Sequence, residues 1–254
     1  MIGSNFSDLS GLRAIVTGSS SGIGRAIAWE FACGGADVVV HCRRSLEAVE
    51  QLAKQIRELG RAAEVCTADL GNEPDLPGFV ERAFSGGADI WVNNAGVDLL
   101  TGESATFDYV KKLQQLLDVD VRSSMLLSRF VGQRMSEAGH GVILNIGWDQ
   151  ADRGMEGESG ELFAAAKNAI MGFTRSLALS LAPKVRVNCI APGWIKTAWG
   201  ESAGESWQNR VCCETPLGRW GTPQDVGATA RFLASPDAAY ITGQVINVNG
   251  GAVR

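Results

Sequence analysis

The sequence predicts an α/β protein: a doubly wound parallel sheet in three α/β/α layers, folded as one domain over residues 1–254. Two observations predict this class. Patterns typical of buried strands and of amphipathic helices alternate along the chain, and a glycine-rich turn joins the first strand to the first helix. Parallel strands need long crossovers, usually helices, and these cover both faces of the sheet.

The first unit, residues 12–27, is the most informative stretch. A short run of branched apolar residues ends at Thr17, glycines follow at 18, 22 and 24, and a helical pattern begins with Ile23 and Ile27. Glycine permits a tight turn and lets the backbone approach a pyrophosphate at the helix N-terminus. The spacing Gly-x-x-x-Gly-x-Gly differs from the general dinucleotide fingerprint. Taken alone, it is also compatible with an ordinary strand-to-helix turn.

The later elements follow from the same patterns, with period two or continuous apolar runs for strands and period 3.6 for helices. Further strands are predicted at 37–41, 62–67, 89–92, 142–146, 185–191 and 245–248. Helices are predicted at 45–59, 73–84, 162–181 and 222–234, and residues 106–135 are long enough for two consecutive helices. Neither a repeat nor a linker interrupts this order, so the sequence predicts one domain.

Composition narrows the function. The net charge is −5 with no basic block, which argues against nucleic acid or an anionic membrane surface as a partner. No stretch approaches the roughly 20 apolar residues of a membrane span, and residues 1–10 lack the apolar core of a signal peptide. The six cysteines show no metal-ligand spacing. We expect no metal site, reduced and mostly buried thiols, and a cytoplasmic location.

Five motifs stand in order at the predicted strand ends. They are T-G-S-S-S-G-I-G at 17–24, A-D-L at 68–70, N-N-A-G at 93–96, V-R-V-N-C-I-A-P-G at 185–193 and T-G-Q-V-I-N-V-N-G-G at 242–251. With these motifs the chain resembles the short-chain dehydrogenase/reductase family from about residue 11 to residue 251. The resemblance implies a Rossmann-like sheet, an oxidoreductase activity and a bound NAD(H) or NADP(H).

The resemblance also assigns cofactor-binding positions. It implies that the glycine turn lines the pyrophosphate and ribose, that Asp69 and its neighbour Leu70 face the adenine, and that residues 94–96 lie along the adenosine ribose. It further implies that the backbone of Ile195 and the hydroxyl of Thr197 hold the nicotinamide amide. The full set is Gly18, Ser19, Ser21, Gly22, Ile23, Gly24, Arg43, Arg44, Asp69, Leu70, Asn94, Ala95, Gly96, Lys167, Pro192, Gly193, Ile195 and Thr197.

The end of the second strand bears on the choice of cofactor. An acidic residue there would hydrogen-bond the ribose hydroxyls and repel a 2′-phosphate. Here the position is Cys42, and Arg43 and Arg44 follow it. Guanidinium groups bind phosphate through forked, charge-assisted hydrogen bonds, so we expect NADP(H) to be preferred to NAD(H). The alternative is that both arginines are solvated charges at the start of the next helix.

The catalytic positions depart from the family pattern. Family members use a Tyr-x-x-x-Lys pair, and the tyrosine is the general acid. Here the segment reads F-A-A-A-K, so Phe163 stands in place of the tyrosine while Lys167 is retained. The family serine position is Trp148, and a family asparagine falls at Asp120. Asp120 either pairs with Lys167 or replaces an amide in a helix bend. We expect ordinary ketone reduction to be weak.

Candidate replacements for the missing acid lie near these positions. A carboxyl with a pKa raised by an apolar wall could donate a proton, and the alternative is a solvated loop or helix-start charge. These candidates are Asp98, Asp149, Asp152, Glu156, Glu158 and Glu161. Tryptophans 148, 194, 199 and 207 either wall an apolar cleft, with residues 194–214 as a lid, or belong to the core or an oligomer contact. The vicinal Cys212 and Cys213 are expected to pack rather than react.

Three function classes stay open at this point. The first is an NADP(H)-dependent oxidoreductase that works without the serine and tyrosine on a small, apolar or aromatic substrate. The second is a non-catalytic cofactor-binding member with a regulatory or structural role, and the third is a non-redox enzyme that uses the same cleft. The resemblance implies a homotetramer (or a dimer), formed by pairing the helices at 106–135 and 162–181 and by packing the C-terminal strands.

Overall fold

The computed structural model describes residues 6–253. Residues 1–5, part of the segment in which no signal peptide is expected, and residue 254 lie outside the described residues. Seven parallel strands form one sheet in the order β3-β2-β1-β4-β5-β6-β7. The strands are β1 Arg13–Val16, β2 Asp37–Cys42, β3 Ala63–Thr67, β4 Ile90–Asn93, β5 Gly141–Ile146, β6 Val185–Pro192 and β7 Val245–Val248.

The strand order reverses next to β1, and this reversal positions the site. The chain moves outward from β1 through β2 to β3, then returns to the other side of β1 as β4 and continues to β7. Val16 pairs with Val40 on one side and with Val92 on the other. The loops after β1 and β4 therefore leave the sheet in opposite directions and open a crevice between them. This is the doubly wound α/β fold that the sequence predicts.

Helices cover both faces because every crossover is helical. They are α1 Gly22–Cys33, α2 Leu46–Glu58, α3 Asp75–Ala83, α4 Tyr109–Gln115, α5 Ser124–Ala138, α6 Glu158–Leu181, α7 Ala198–Ser202, α8 Glu205–Glu214 and α9 Pro223–Ala234. Helices α1, α2 and α9 pack Phe31, Leu52 and Val226 on one face. Helices α3, α5 and α6 pack residues such as Phe79 and Leu177 on the other. Each face has its own apolar core, as strands buried on both sides require.

Residues 109–138 contain two consecutive helices, α4 and α5, as expected for this part of the chain. They are joined without a break by a π-helical segment, Leu116–Ser123, which the sequence did not predict. A π segment widens the helix, and such segments are frequent at functional sites. Here it carries Asp120, whose carboxylate is buried and accepts a hydrogen bond from the backbone N–H of Val97 (2.9 Å). The helix is thus bound to the loop that follows β4.

The segment expected to form a lid contains two short helices, α7 and α8, that the sequence patterns did not predict. The other boundaries also move slightly. Helix α6 begins at Glu158 rather than 162, and α3 begins at Asp75 rather than 73. Among residues 6–253, no helix combines the length and the apolar character that crossing a bilayer requires.

Candidate active site

The glycine turn after β1 is shaped by steric necessity. Gly18 and Gly22 have φ of +64° and +52°, a region that favours glycine. A Cβ atom on Gly18 would lie 2.7 Å from the Cα of Ala95, and one on Gly24 would lie 2.3 Å from the carbonyl oxygen of Gly18. Neither position has room for a side chain. The backbone of the turn therefore stays accessible at the N-terminus of α1, where peptide N–H groups favour an anion.

Asn94 joins the two loops on either side of the crevice. Its Nδ2 donates to the carbonyl oxygens of Thr17 (2.9 Å) and Gly18 (3.0 Å). In return, the Thr17 hydroxyl oxygen accepts from the backbone N–H groups of Asn94 (2.9 Å) and Ala95 (3.0 Å). The N-N-A-G motif thus holds the glycine turn in place.

His41 at the end of β2 is a second brace, and sequence reasoning missed it. Its Nδ1 accepts from the backbone N–H of Gly18 (3.0 Å), and its Nε2 lies 3.2 Å from the carbonyl oxygen of Ala68. The neutral ring with the proton on Nε2 satisfies both contacts. Burial lowers the pKa of His41 to about 4. A polar side chain at the carboxyl end of a Val-rich strand was the signal that could have marked it.

Ser19 differs from its expected position beside the cofactor. Its side chain is fully buried, and its hydroxyl oxygen accepts from the backbone N–H of His41 (2.8 Å). Because this bond turns the side chain toward β2, Ser19 does not line the crevice, whereas Ser20 does. Ser21 also lines it.

A cleft of about 760 Å³ occupies the crevice. Fourteen residues predicted for the site line it, and they come from the segments that follow five strands and from α6. They are Gly18, Ser21, Gly22, Ile23, Gly24, Arg43, Arg44, Asp69, Leu70, Asn94, Ala95, Gly96, Phe163 and Thr197. The remaining predicted residues, Ser19, Asp120, Trp148, Lys167, Pro192, Gly193 and Ile195, lie outside this lining. Unpredicted lining residues include Ser20, His41 and Gln115.

The two arginines lie at the outer end of this cleft. Arg43 and Arg44 are exposed, and Nη1 of Arg43 lies 3.9 Å from a carboxylate oxygen of Asp69. The other oxygen of Asp69 accepts from the backbone N–H of Gly71 (3.0 Å). Since an exposed ion pair at this distance is weak, Arg43 remains free to reorient toward an anionic ligand.

Lys167 and Asp120 form a buried ion pair outside the lining of the cleft. Lys167 Nζ lies 3.0 Å from Asp120 Oδ1, and only 13% and 1% of the two side chains is exposed. Lys167 Nζ also donates to the carbonyl oxygen of Ile146 (3.3 Å). The pairing interpretation of Asp120 agrees with this geometry. The helix-bend interpretation agrees too, because the residue lies within the π segment.

Trp148 and Phe163 contact each other. Their rings meet edge to face, with centroids 6.4 Å apart and an interplanar angle of 66°. Trp148 also packs against Ala151, Met171 and Cys189. The two positions that resemblance assigns to a hydroxyl pair therefore carry one aromatic pair, a favourable arrangement of ring quadrupoles.

One of the candidate acids, Asp149, differs from the rest. It is 2% exposed, and its Oδ2 accepts from Asn249 Nδ2 (3.0 Å), whereas Oδ1 makes no hydrogen bond among the described residues. Burial raises the pKa of Asp149 to about 6, against the lowering effect of the Asn249 bond. The other candidates are exposed or on the outer turn of α6: Asp98, Asp152, Glu156, Glu158 and Glu161.

Three tryptophans of the segment expected to form the lid cluster with a fourth that lies beyond it. Trp194, Trp199 and Trp207 lie with ring centroids 5.4–6.0 Å apart, and Trp220 joins them at 6.0 Å from Trp199 and 6.4 Å from Trp194. Trp199 also lines the cleft. These ring contacts hold the lid segment together. Trp220 was not among the tryptophans that the sequence analysis singled out.

The cysteines correct a further expectation. Cys42 and Cys189 are buried and Cys66 is partly buried, but Cys33, Cys212 and Cys213 are exposed. The vicinal pair lies on the outer side of α8, where only Val211 is buried, so it does not pack. In the described part of the chain, the acidic, histidine and cysteine side chains form no cluster that could hold a metal ion.

The doubly wound sheet and the glycine turn after β1 are typical of dinucleotide-binding α/β proteins. Comparison with known proteins gives the family. The family model described as enoyl-(acyl carrier protein) reductase matches residues 18–253. The chain belongs to the short-chain dehydrogenase/reductase family.

Similar proteins and structures agree. Nodulation protein G of Rhizobium sp. (strain N33) is 35% identical over 96% of this chain and 98% of its own length. The 7α-hydroxysteroid dehydrogenase of Escherichia coli (strain K12) is 35% identical over 97% and 96%. A structure of 7α-hydroxysteroid dehydrogenase with NADH and 7-oxo glycochenodeoxycholic acid has a TM-score of 0.90, 34% identity and coverage of 100% and 98%.

Another similar structure holds the phosphorylated cofactor. It is a gluconate 5-dehydrogenase from Burkholderia cenocepacia J2315 in complex with NADP and tartrate. Its TM-score is 0.86 with 29% identity, over 97% of this chain and 96% of that one. Structures similar to this chain thus hold either NADH or NADP.

Proposed function

We propose that this protein binds NAD(P)(H) in the cleft at the sheet reversal and transfers hydride to a small molecule without the family's serine and tyrosine. The cofactor-binding part of this proposal is supported by the glycine turn between β1 and α1. Gly18 and Gly24 leave no room for a Cβ, and the cleft of about 760 Å³ runs from this turn to Phe163 and Thr197. These residues fit a dinucleotide, whose pyrophosphate suits the N-terminus of α1.

The cofactor preference proposed is NADP(H) over NAD(H). Arg43 and Arg44 border the cleft where a 2′-phosphate would lie, and Cys42 supplies no carboxylate to hold the ribose hydroxyls or repel that phosphate. A charge-assisted hydrogen bond contributes about 1.5–3 kcal/mol, so the expected preference is roughly 10- to 100-fold.

Fluorescence titration with NADPH and NADH tests this preference. Arg43→Asp should weaken NADPH binding and reverse or erase the preference. Lys54→Asp makes the same charge change on an exposed residue of α2, outside the cleft lining, and should change neither affinity. Failure to bind either cofactor at millimolar concentration would refute the cofactor proposal.

Catalysis by this site would use a different set of roles. Lys167 would hold the cofactor ribose, Asp120 would neutralise its charge, and Trp148 and Phe163 would pack against the reacting part of an apolar or aromatic substrate. Neither ring releases a proton at neutral pH. Since a positioned general acid contributes about 10²–10⁴-fold, ordinary ketones should be reduced slowly even when the cofactor is saturating.

A non-catalytic role is the second candidate. The observation that favours it is the closed Lys167–Asp120 pair beside the two aromatic replacements. Transfer of deuterium from deuterated NADPH to a carbonyl and imine panel distinguishes the candidates. Cofactor binding without label transfer to any member would favour the regulatory or structural role.

We also propose a homotetramer (or dimer). The small residues Ala165 and Gly172 lie exposed on α6, and a Cβ atom added to Gly172 would meet no neighbouring element of the described chain within 4 Å. Val110 and Leu117 are exposed apolar residues on the adjoining helical stretch. Light scattering at micromolar concentration should show more than a monomer. The cytoplasmic location stays a prediction from cysteine usage.

A further inference from the structure

We propose that the substrate is an iminium cation, a compound with a positively charged carbon–nitrogen double bond. The inference rests on the proposed NAD(P)H-dependent activity and names its substrate class. Three features at or behind the Phe163 end of the cleft carry it: an aromatic pair, a neutralised lysine and a buried carboxylate with an unused oxygen.

The aromatic pair favours a cation over a carbonyl oxygen. Trp148 and Phe163 form an aromatic pair at the positions where resemblance places hydrogen-bond donors to a substrate oxygen, and Phe163 is the member that lines the cleft. The negative face of an aromatic ring attracts a cation and offers nothing to a developing alkoxide. A ketone oxygen that gained charge here would be left without a donor.

The neighbouring charges point the same way. The ammonium of Lys167 would repel a cation, but Asp120 lies 3.0 Å from it and offsets its charge. The second carboxylate, Asp149, directly follows Trp148 in the chain and is 2% exposed. Its Oδ2 lies 3.2 Å from where a Cβ on Gly193 would stand, in the turn assigned to the nicotinamide.

The buried Asp149 carboxylate uses only part of its capacity to accept hydrogen bonds. Asn249 binds one of its oxygens, and the other makes no hydrogen bond among the described residues. Arg153 is the charged side chain that acts on it electrostatically. A buried carboxylate is costly unless it is paired, so a cation close to Gly193 would relieve that cost.

The chemistry balances without an acid. Hydride leaves C4 of the reduced nicotinamide and bonds to the iminium carbon, and the π electron pair of the C=N bond moves onto nitrogen. The products are a neutral tertiary amine and the oxidised, cationic nicotinamide. One positive charge moves from substrate to cofactor, no proton is transferred, and Asp149 faces a cation before and after the step. A ketone would instead yield an alkoxide that needs a proton.

The test compares N-methyl-3,4-dihydroisoquinolinium with 1-tetralone, a neutral ketone of similar size. NADPH oxidation is measured with and without protein, and each enzymatic rate is divided by the uncatalysed rate. The expected rate enhancement is at least 100-fold larger for the iminium salt. Asp149→Asn should lower kcat/KM for that salt at least tenfold, whereas Asp75→Asn, the same change at an exposed aspartate of α3 outside the cleft lining, should not.

Two further measurements separate a charge effect from a structural one. In the presence of NADP⁺, tryptophan fluorescence should give a Kd at least tenfold lower for the iminium salt than for 1-tetralone, and Asp149→Asn should remove the difference. The parent rate should fall as pH drops through about 6, where Asp149 becomes protonated, and the variant should lose that step.

The outcomes are distinguishable. If NADPH does not bind, both the proposed function and the substrate inference fail. If NADPH binds and 1-tetralone is enhanced as much as the iminium salt, the oxidoreductase stands and the iminium assignment is overturned. Binding of NADPH with no enhancement for the salt also overturns the assignment.

Discussion

Restoring the hydroxyl pair should create a ketone reductase, provided that the lysine is released at the same time. The changes are Trp148→Ser and Phe163→Tyr, with and without Asp120→Asn. Phe163 lines the cleft and is half-buried, so one added oxygen can face the cofactor side. Serine at 148 removes the ring that now contacts residue 163. Either change alone should do less than the pair.

The structure sets the magnitude. Two unit charges 3 Å apart interact by about 5 kcal/mol at an effective dielectric constant near 20. The Asp120 carboxylate, 3.0 Å from Lys167 Nζ, therefore offsets most of the field that would lower the pKa of a new phenol. A positioned acid contributes about 10²–10⁴-fold. We expect the double variant to gain about 10-fold in kcat/KM for 1-tetralone, and the triple variant about 10³-fold.

The assay measures NADPH-dependent reduction of 1-tetralone by parent, single, double and triple variants. Cofactor affinity, followed by fluorescence, serves as the control for an intact cleft. In the triple variant, kcat/KM should fall at high pH as the phenol loses its proton. Robust reduction by the parent, or no gain in a triple variant that binds NADPH normally, would refute the reasoning. Asp149, Asp152, Glu158 and Glu161 would then be the first acids to replace with alanine.

Three further predictions concern stability. Burial lowers the pKa of His41 from 6.5 to about 4, so the unfolded chain binds the proton more readily than the folded chain. The free energy of unfolding should therefore fall by about 3 kcal/mol between pH 6.5 and pH 4. In urea titrations, His41→Gln should remove that fall. Asp149 has the opposite effect, because its pKa is raised to about 6 in the folded protein. The free energy of unfolding should fall as pH rises from about 4 to 6, where the folded protein has to ionise a buried carboxyl. Asp149→Asn should therefore raise the free energy of unfolding by up to about 3 kcal/mol at pH 7 and leave it unchanged at pH 3. A gain that persists at pH 3 would contradict this. Gly24→Ala should lower Tm sharply and Gly204→Ala hardly at all, because only the first Cβ meets neighbouring atoms.

The sequence predicted the sheet because its strands are buried on both faces. β1, β2 and β6 are runs of branched apolar residues. β2 and β6 begin where they are predicted and end one residue later, and β1 ends one residue before Thr17. Helix α8 escaped prediction because only Val211 in it is buried, so it has no apolar period to detect. The π segment escaped for another reason: it depends on bonds to Val97 and Lys167, which are distant in sequence.

The sequence predicted those parts of the site whose conformation depends on backbone sterics. It was less informative about parts that depend on the direction of a side chain. The spacing of glycines 18, 22 and 24 located the glycine turn, since their positions have no room for a Cβ or require positive φ. That spacing does not show which serine of the turn faces the ligand. Ser19 turns toward His41, and Ser20 takes the lining position.

Changes at Asp120 and Phe163 should have non-additive effects on the free energy of unfolding, because both positions determine which group binds the buried ammonium of Lys167. The ammonium is mostly buried, and its carboxylate partner is Asp120 at 3.0 Å. Removing one partner of a buried ion pair typically costs about 3–5 kcal/mol, so Asp120→Asn in the parent should lower the free energy of unfolding by about that amount. In the Phe163→Tyr background a phenol oxygen can accept from the ammonium, and the same change should cost at least about 1 kcal/mol less. Urea unfolding of the parent, both single variants and the double variant measures this coupling. Additive losses would contradict the coupling, whereas a smaller loss in the Phe163→Tyr background would show that residue 163 can take over part of the role of Asp120 as partner of Lys167.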